Sequence, residues 1–563
     1  MASILSLEVL QQTLGVNVQG LVLSAATLGV ISHLSLFRTL PVEEYLYSLL
    51  GLYAATVLAI VLAYLYTTEF SFIHMIFCVG CIASAFNAGL ISSIAVYRLF
   101  FHRLRHFDGP WLSKLSRFYD VYLAGKNVQY HVEVAKMHEK YGDFIRTGPR
   151  EVCIVRKSAV PLLLSPQSKC GKSTFYAQAQ TESKYCNVHH TRDFDDHRRR
   201  RRAWDRGFSI KALASYEQRI REKADLLISH IEQQHGQSID ATTRSMFLSF
   251  DIMGKVGFGK EFNNLSTGVE HPGIKAVHDH MTILGTMGHI PWLLNLISHL
   301  PGAMSAMAEF FKWCEDEIVQ KHKNWDINER PQDVVSWLLK AYVEKDVSAA
   351  PTAIALHDDS RAVLVAGSET TATTLTSTLY YLCKNPEVLR KLQRHLDEAM
   401  PGGSSEWAYE KIKNISYLED IIKETLRLRP AILTGGYRVT PAEGLQVDEV
   451  YIPADVNVFA PTQLLQTDER YYVDAKQFVP ERWNERKEMI REPDAPYFPF
   501  LYGPYVCPGK NLALMSLRIS VSKLAQLYDI SFAPGETGEL FETKTLDTFT
   551  TTLPPLNVQF VRR

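Results

Sequence analysis

The stretch Phe500-Leu501-Tyr502-Gly503-Pro504-Tyr505-Val506-Cys507-Pro508-Gly509 decides how this 563-residue chain is read. It sets one cysteine in a glycine- and proline-rich loop, followed by a helical pattern from Asn511 to Leu527. Such surroundings suit a thiolate that ligates iron. Glycine lets the backbone approach a flat ligand closely, backbone N–H groups can face the sulfur, and the positive end of the following helix favours negative charge. A thiolate ligand pushes electron density onto iron and favours O–O cleavage. A lone cysteine in a turn is by default a small buried hydrophobe, so its companions along the chain have to carry the argument.

Four other stretches supply companions. Ala366-Gly367-Ser368-Glu369-Thr370-Thr371 lies in a helical pattern and puts an acid beside a hydroxyl, a pair that can deliver protons where oxygen is activated. The small Ala366-Gly367 pair would let that helix open locally and admit oxygen. Glu424-Thr425-Leu426-Arg427 sets a glutamate and an arginine one helical turn apart, and Pro480-Glu481-Arg482-Trp483 brings a further arginine ahead of the cysteine loop. The basic run His197-Arg198-Arg199-Arg200-Arg201-Arg202, by composition alone, points to nucleic acid.

Global charge gives that last reading no support. Lysine plus arginine (60) balances aspartate plus glutamate (61), and the formal net charge of −1 provides no field to draw a polyanion. The eight cysteines are scattered and form neither a dense disulfide framework nor paired zinc knuckles. The lone C-x-x-C, Cys78 to Cys81, sits in an apolar stretch and reads as membrane-span packing.

Three apolar segments, residues 21–37, 45–66 and 72–99, precede anything globular, and each approaches the roughly 20 helical residues that a hydrocarbon core requires. The first is short and carries His33, and the third is long and contains Asn87, so two or three crossings fit the pattern. No lysine or arginine precedes Leu21, whereas Arg98, Arg103 and Arg105 come after the last segment. The positive-inside rule then predicts a lumenal N-terminus, three spans and a cytosolic remainder. In that orientation the sequons Asn264-Leu265-Ser266 and Asn414-Ile415-Ser416 stay unglycosylated. Residues 1–105 are expected to be a membrane anchor and 106–563 the catalytic domain, with Gly109-Pro110 as a stiff hinge.

Beyond His106 the apolar residues keep helical periods, as in Tyr216–Gln233, Val363–Leu382 and Pro386–Met400. Glu151–Val155, Leu445–Ile452 and Leu556–Val561 read as strands. The expected class is mainly α with small β-sheets at the margins of a helical body.

The spacing F-x-x-G-x-x-x-C-x-G resembles the signature of the cytochrome P-450 family, and five motifs stand in the family's order, at His197, Glu369, Glu424, Arg482 and Cys507. The resemblance implies the P-450 fold and haem b, iron protoporphyrin IX, with Cys507 as axial ligand and Phe500, Gly503 and Gly509 around it. It puts Glu369 and Thr370 in the acid and alcohol positions and His197, Arg201 and Arg438 on the haem propionates. The other arginines of the basic run would face outward, toward an acidic electron donor. Glu424, Arg427 and Arg482 would form a buried structural network beneath the cysteine loop, without performing chemistry. The family commonly has arginine or histidine two residues before the cysteine, where this chain has Tyr505. The form G-P-Y-x-C-P-G-K-N-L, like the tandem spans, resembles fungal members that serve specialised metabolism.

The activity implied by the resemblance is that of a haem-thiolate monooxygenase, which inserts one atom of O2, most often as a hydroxyl, into an apolar molecule. Electrons would come from NADPH through NADPH-cytochrome P-450 reductase, at the endoplasmic reticulum membrane with the catalytic domain facing the cytosol, and nucleic acid would play no part. By the same analogy Val363, Ala366, Ile432 to Thr434 and Phe549 would line the pocket. Two other readings compete. A reductase-independent isomerase or dehydratase generally departs from the acid and alcohol pair that Glu369 and Thr370 supply. A non-catalytic membrane module is opposed by the intact cysteine loop and by spans without the inward polar residues of a transport path.

Overall fold

Three long apolar helices begin the described chain: α1 (Val18–Ser32), extended by a π-helical turn at His33–Phe37, α2 (Leu46–Thr67), and α3 (Phe72–Val96). The structure, a computed structural model, describes residues 18–38, 42, 45–67, 71–177, 182–298, 300, 302, 305–326 and 328–563. It divides into two units, Met1–Ser116 and Arg117–Arg563.

In the first unit, all three helices are long and apolar enough to cross a membrane. The polar residues that weaken the outer two segments find partners. His33 Nδ1 lies 2.8 Å from Ser93 Oγ, and Asn87 donates to the Tyr53 hydroxyl at 2.8 Å. Two glycines let α1 and α3 touch backbone to backbone. A Cβ on Gly29 would collide with the Phe86 carbonyl, and one on Gly89 with that of Ala26. Small residues at a crossing are how apolar helices pack without a hydrophobic driving force between them.

In the second unit, the central element is the 32-residue helix spanning Ala353–Lys384, capped by Thr352, whose hydroxyl accepts from the Ala355 N–H at 3.1 Å. It is buried on nearly every side, as expected of a core helix rather than an amphipathic surface one. With this central helix numbered α6, its neighbours are α4 (Phe194–Gly207), α5 (Ala241–Ile252), α7 (Ser416–Leu428) and α8 (Lys510–Leu527).

The largest sheet has five short strands, β1 (Phe144–Gly148), β2 (Glu151–Ile154), β3 (Gly171–Lys172), β4 (Arg438–Val439) and β5 (Asn457–Phe459), in the order β1-β2-β5-β4-β3. Only β2 and β5 run parallel within it. Near the C-terminus, β6 (Leu546–Thr548) and β7 (Thr550–Thr552) form a tight hairpin with Phe549 at its tip in the left-handed region, φ 76°. The mainly helical class with small sheets is as expected. One strand expectation is corrected: Leu445–Ile452 is two strands, Leu445–Val447 and Val450–Ile452, because Asp448 takes φ 48° and turns the chain back. The two sequons also differ. The Asn264 amide is buried and donates to Asp251 at 2.7 Å, whereas Asn414 is exposed.

The glycine crossing makes a prediction. Cysteines placed at His33 and Ser93 form a disulfide on mild oxidation in membranes, and adding Gly89→Leu reduces that yield severalfold by forcing α1 and α3 apart. An unchanged yield would show that the crossing does not depend on Gly89.

Candidate active site

The cysteine loop is held from several sides. The Cys507 N–H donates to the Phe500 carbonyl at 2.9 Å, closing the loop on itself. Gly503 takes φ 71°, and a Cβ there would collide with the Leu164 carbonyl, so both conformation and space demand glycine. Arg201 of α4 donates from Nη1 to the Val506 carbonyl at 2.6 Å while its Nε is held by Asp205 at 2.8 Å. A Cβ on Gly509 would stand 3.9 Å from the Cys507 sulfur. The thiol is recessed in the fold, and burial pushes its pKa up, opposed by the N–H groups of Gly509 and Lys510 and by Arg201. The same residue nevertheless keeps accessible surface, so its side chain borders a recess rather than packed protein.

Beneath the loop, Glu424 is wholly buried and accepts five hydrogen bonds. Arg427 gives two, at 2.9 and 2.8 Å, and Arg482 Nε, the Trp483 indole and the Val479 N–H give one each, at 2.8, 3.0 and 3.0 Å. The arginines spend their other donors on backbone carbonyls, Arg427 on Gln466 and Ala475, Arg482 on Val473 and Asp474. The three residues are thus brought together as one network.

The other predicted residues fall into place less uniformly. His197 is buried with its ring 4.7 Å from that of Tyr505. Arg438 is buried too, and among the described residues only its Nη1 finds a partner, the Tyr437 carbonyl at 3.0 Å, while Nε and Nη2 have none. On α6, Ala362, Ala366 and Thr370 keep accessible surface one turn apart, a stripe on an otherwise packed helix. The Thr370 hydroxyl donates to the Ala366 carbonyl at 2.7 Å. Glu369 points elsewhere. It is buried, accepts from the hydroxyls of Thr550 and Thr552, and does not bond to Thr370. Burial raises its pKa to about 7 against the pull of the two threonines.

Three expectations are corrected. Arg200 does not face outward: it is buried and pairs with Asp359 of α6 at 2.8 Å, because its helical phase, not that of its neighbours, meets that carboxylate. Gly367 does not open the helix, which is continuous; a Cβ there would meet the Met253 side chain, so the glycine serves close packing. Val363 is buried, with a methyl 3.2 Å from where a Cβ on Gly257 would lie, and does not form an accessible wall. Sequence reasoning missed Thr550 and Thr552, and it missed Lys172, whose amine lies 4.9 Å from the Tyr505 ring. It also missed the aromatic stack of Phe175 on Tyr437 (4.6 Å) and on Phe549 (5.4 Å).

Residues 112–560 match the model of the cytochrome P-450 family. A cytochrome P-450 monooxygenase of Eupenicillium brefeldianum is 38% identical over 84% of this chain and 94% of its own length. One of Fusarium pseudograminearum is 35% identical over 95% and 96%. Tryprostatin B 6-hydroxylase of Aspergillus fumigatus is 30% identical over 92% of each. Among solved structures, the cytochrome P450DA heme domain superposes with a TM-score of 0.65 at 17% identity, covering 77% of this chain and 94% of that one. The chain belongs to the cytochrome P-450 family. It is a P-450 monooxygenase, a class that works through a haem-thiolate group, a redox partner and a small-molecule substrate.

The residues present fit that group. A sulfur faced by two N–H groups and a guanidinium is a suitable donor, since a metal-bound thiol is held as thiolate and these groups favour the anion. The two orphaned donors of buried Arg438 need an acceptor, and a haem carboxylate supplies one.

Two outcomes are expected of this geometry. Glu424→Ala leaves two arginines buried without their carboxylate and costs about 3–5 kcal/mol, read as a lower melting temperature with lost haem content. Thr550→Val removes a hydroxyl that favours ionised Glu369, so the carboxyl titrates about one pH unit higher, read from the pH dependence of its infrared carbonyl band. An unmoved midpoint would show that Thr550 does not govern the acid.

Proposed function

We propose that this chain hydroxylates an apolar intermediate of fungal secondary metabolism, using haem b on Cys507 and electrons from NADPH passed by NADPH-cytochrome P-450 reductase. The observation that carries the reading is the Cys507 sulfur, bordering a recess, flanked by the N–H groups of Gly509 and Lys510, in a loop closed on the Phe500 carbonyl. The relatives of fungal origin support the substrate class, and one of them bears the name of a hydroxylase acting on tryprostatin B. The haem supplies dioxygen activation and one-electron chemistry.

The chain supplies the rest. Cys507 gives the metal its electron-rich ligand, and the two N–H groups moderate the charge on sulfur. His197, Arg201 and Arg438 would hold the propionates, and Phe500, Gly503 and Gly509 would shape the loop that receives the haem. Glu369, with a pKa of about 7, can both take and give a proton at neutral pH. Thr370 keeps its hydroxyl on the accessible stripe of α6, donating to the Ala366 carbonyl, and its oxygen could accept from a proton donor there. The accessible face at Ala366 and the aromatic stack of Phe175, Tyr437 and Phe549 suit an apolar, ring-bearing substrate. The three apolar helices of the first unit would anchor the enzyme in the endoplasmic reticulum membrane, domain toward the cytosol, where such a substrate concentrates.

The test is a reduced, carbon-monoxide difference spectrum of membranes holding the protein. A strongly red-shifted Soret band appears for the natural chain and is lost in Cys507→Ala. Its absence from folded, haem-replete protein would overturn the thiolate assignment.

A further inference from the structure

Strands β3 and β4 set Lys172 directly opposite Arg438, and both side chains are buried. Like charges facing each other across a ladder destabilise a sheet, and buried charges are normally paired. Among the described residues neither cation has a carboxylate partner. Lys172 Nζ donates to the carbonyls of Val188 at 3.1 Å and His189 at 2.6 Å, which leaves one of its three N–H bonds. Arg438 has Nε and Nη2 free. The Tyr505 ring lies against both, 4.9 Å from the ammonium and 4.7 Å from the guanidinium carbon, with the His197 ring 4.7 Å away. Burial first, then the charges of Arg438, Arg200 and Arg201, push the Lys172 amine well below lysine's ordinary range. The fold has gathered positive charge here and left it without a counter-ion.

We propose that Lys172, which faces Arg438 across the ladder and shares with it the ring of Tyr505, completes an anion site that takes the carboxylates of the haem. The inference rests on the haem-thiolate reading above. A carboxylate placed here satisfies the two idle donors of the Arg438 fork, and a second one meets the remaining N–H of Lys172. Either removes the cross-strand repulsion and restores the charge on the buried amine. Tyr505 adds no charge, but its electron-rich ring lies within cation–π distance of both cations. A substrate carboxylate would meet the same donors, so the test has to separate the two sources.

Purified holoprotein is mixed with excess apomyoglobin and haem transfer is followed by absorbance. Lys172→Met is expected to lose haem about tenfold faster, the worth of one charge-assisted hydrogen bond. Lys172→Arg stays near the natural rate. Tyr505→Arg, added to Lys172→Met, recovers most of the loss, because it returns a cation to the same place; a mere packing defect would not be rescued. Reconstitution with haem dimethyl ester, which has no free carboxylates, erases the difference between the natural chain and Lys172→Met. An unchanged rate in Lys172→Met, or an equal acceleration with the ester, overturns the proposal. So does a variant that keeps haem but binds laurate more weakly in a spin-shift titration, which would assign the site to a ligand carboxylate. Failure of the haem reading itself is recognised separately, by the natural chain lacking the carbon-monoxide band.

Discussion

The carboxylate of Glu424 is the constraint on which the cysteine side of the fold depends. Its five hydrogen bonds gather α7, the Val479 backbone and the Arg482-Trp483 turn at one buried point. The two arginines then spread that order over the carbonyls of the irregular segment between Gln466 and Gln477, which makes almost no regular secondary structure of its own. Gln466 passes it on, because its side-chain oxygen accepts from the Phe498 N–H at 2.8 Å, two residues before the loop begins. A coil that carries a metal ligand gains its precision from such a network, since it has no ladder of hydrogen bonds to supply it.

Two kinds of buried charge therefore flank the cysteine. Below it, Glu424 is fully compensated by cations and neutral donors. Beside it, Arg438 keeps two buried donors without a partner among the described residues, and Lys172, facing it across the ladder, has no carboxylate there. The contrast separates structural from ligand-directed polar groups: a satisfied network rigidifies the scaffold, while idle donors mark where something else must bind. Arg200 with Asp359 belongs to the first kind and ties α4 to α6, so that the neighbouring Arg201 is delivered to the Val506 carbonyl at a fixed angle.

What the sequence conveyed tracked the range of the interactions. The helical class, the long apolar segments, the Glu424 and Arg427 pair and the closed cysteine loop are set within a few residues of chain, and local pattern is enough to read them. The basic run was legible only in part, because five consecutive arginines have no polarity contrast; the partner at Asp359, over 150 residues away, decides which one turns inward. Gly367 has the local pattern of a hinge, but Met253, distant in sequence, fills the space beside it. Lys172 was missed because a strand of two residues has no period to detect, and its significance lies in the register with Arg438.

The hairpin β6–β7 joins two properties that the sequence keeps apart. Phe549, at its tip, stacks on Phe175 and so forms part of the aromatic wall. The adjoining strand gives the hydroxyls of Thr550 and Thr552 to Glu369, and the carbonyl of Thr551 accepts from Thr373, four residues further along α6, at 2.9 Å. A left-handed φ at a bulky aromatic costs energy, on the order of 1–3 kcal/mol, and persists only where its surroundings hold it. Here the stack holds one side of the tip and the acid holds the other. The two strands of one short hairpin thus serve both the aromatic stack at Phe175 and the hydrogen bonds of the buried acid.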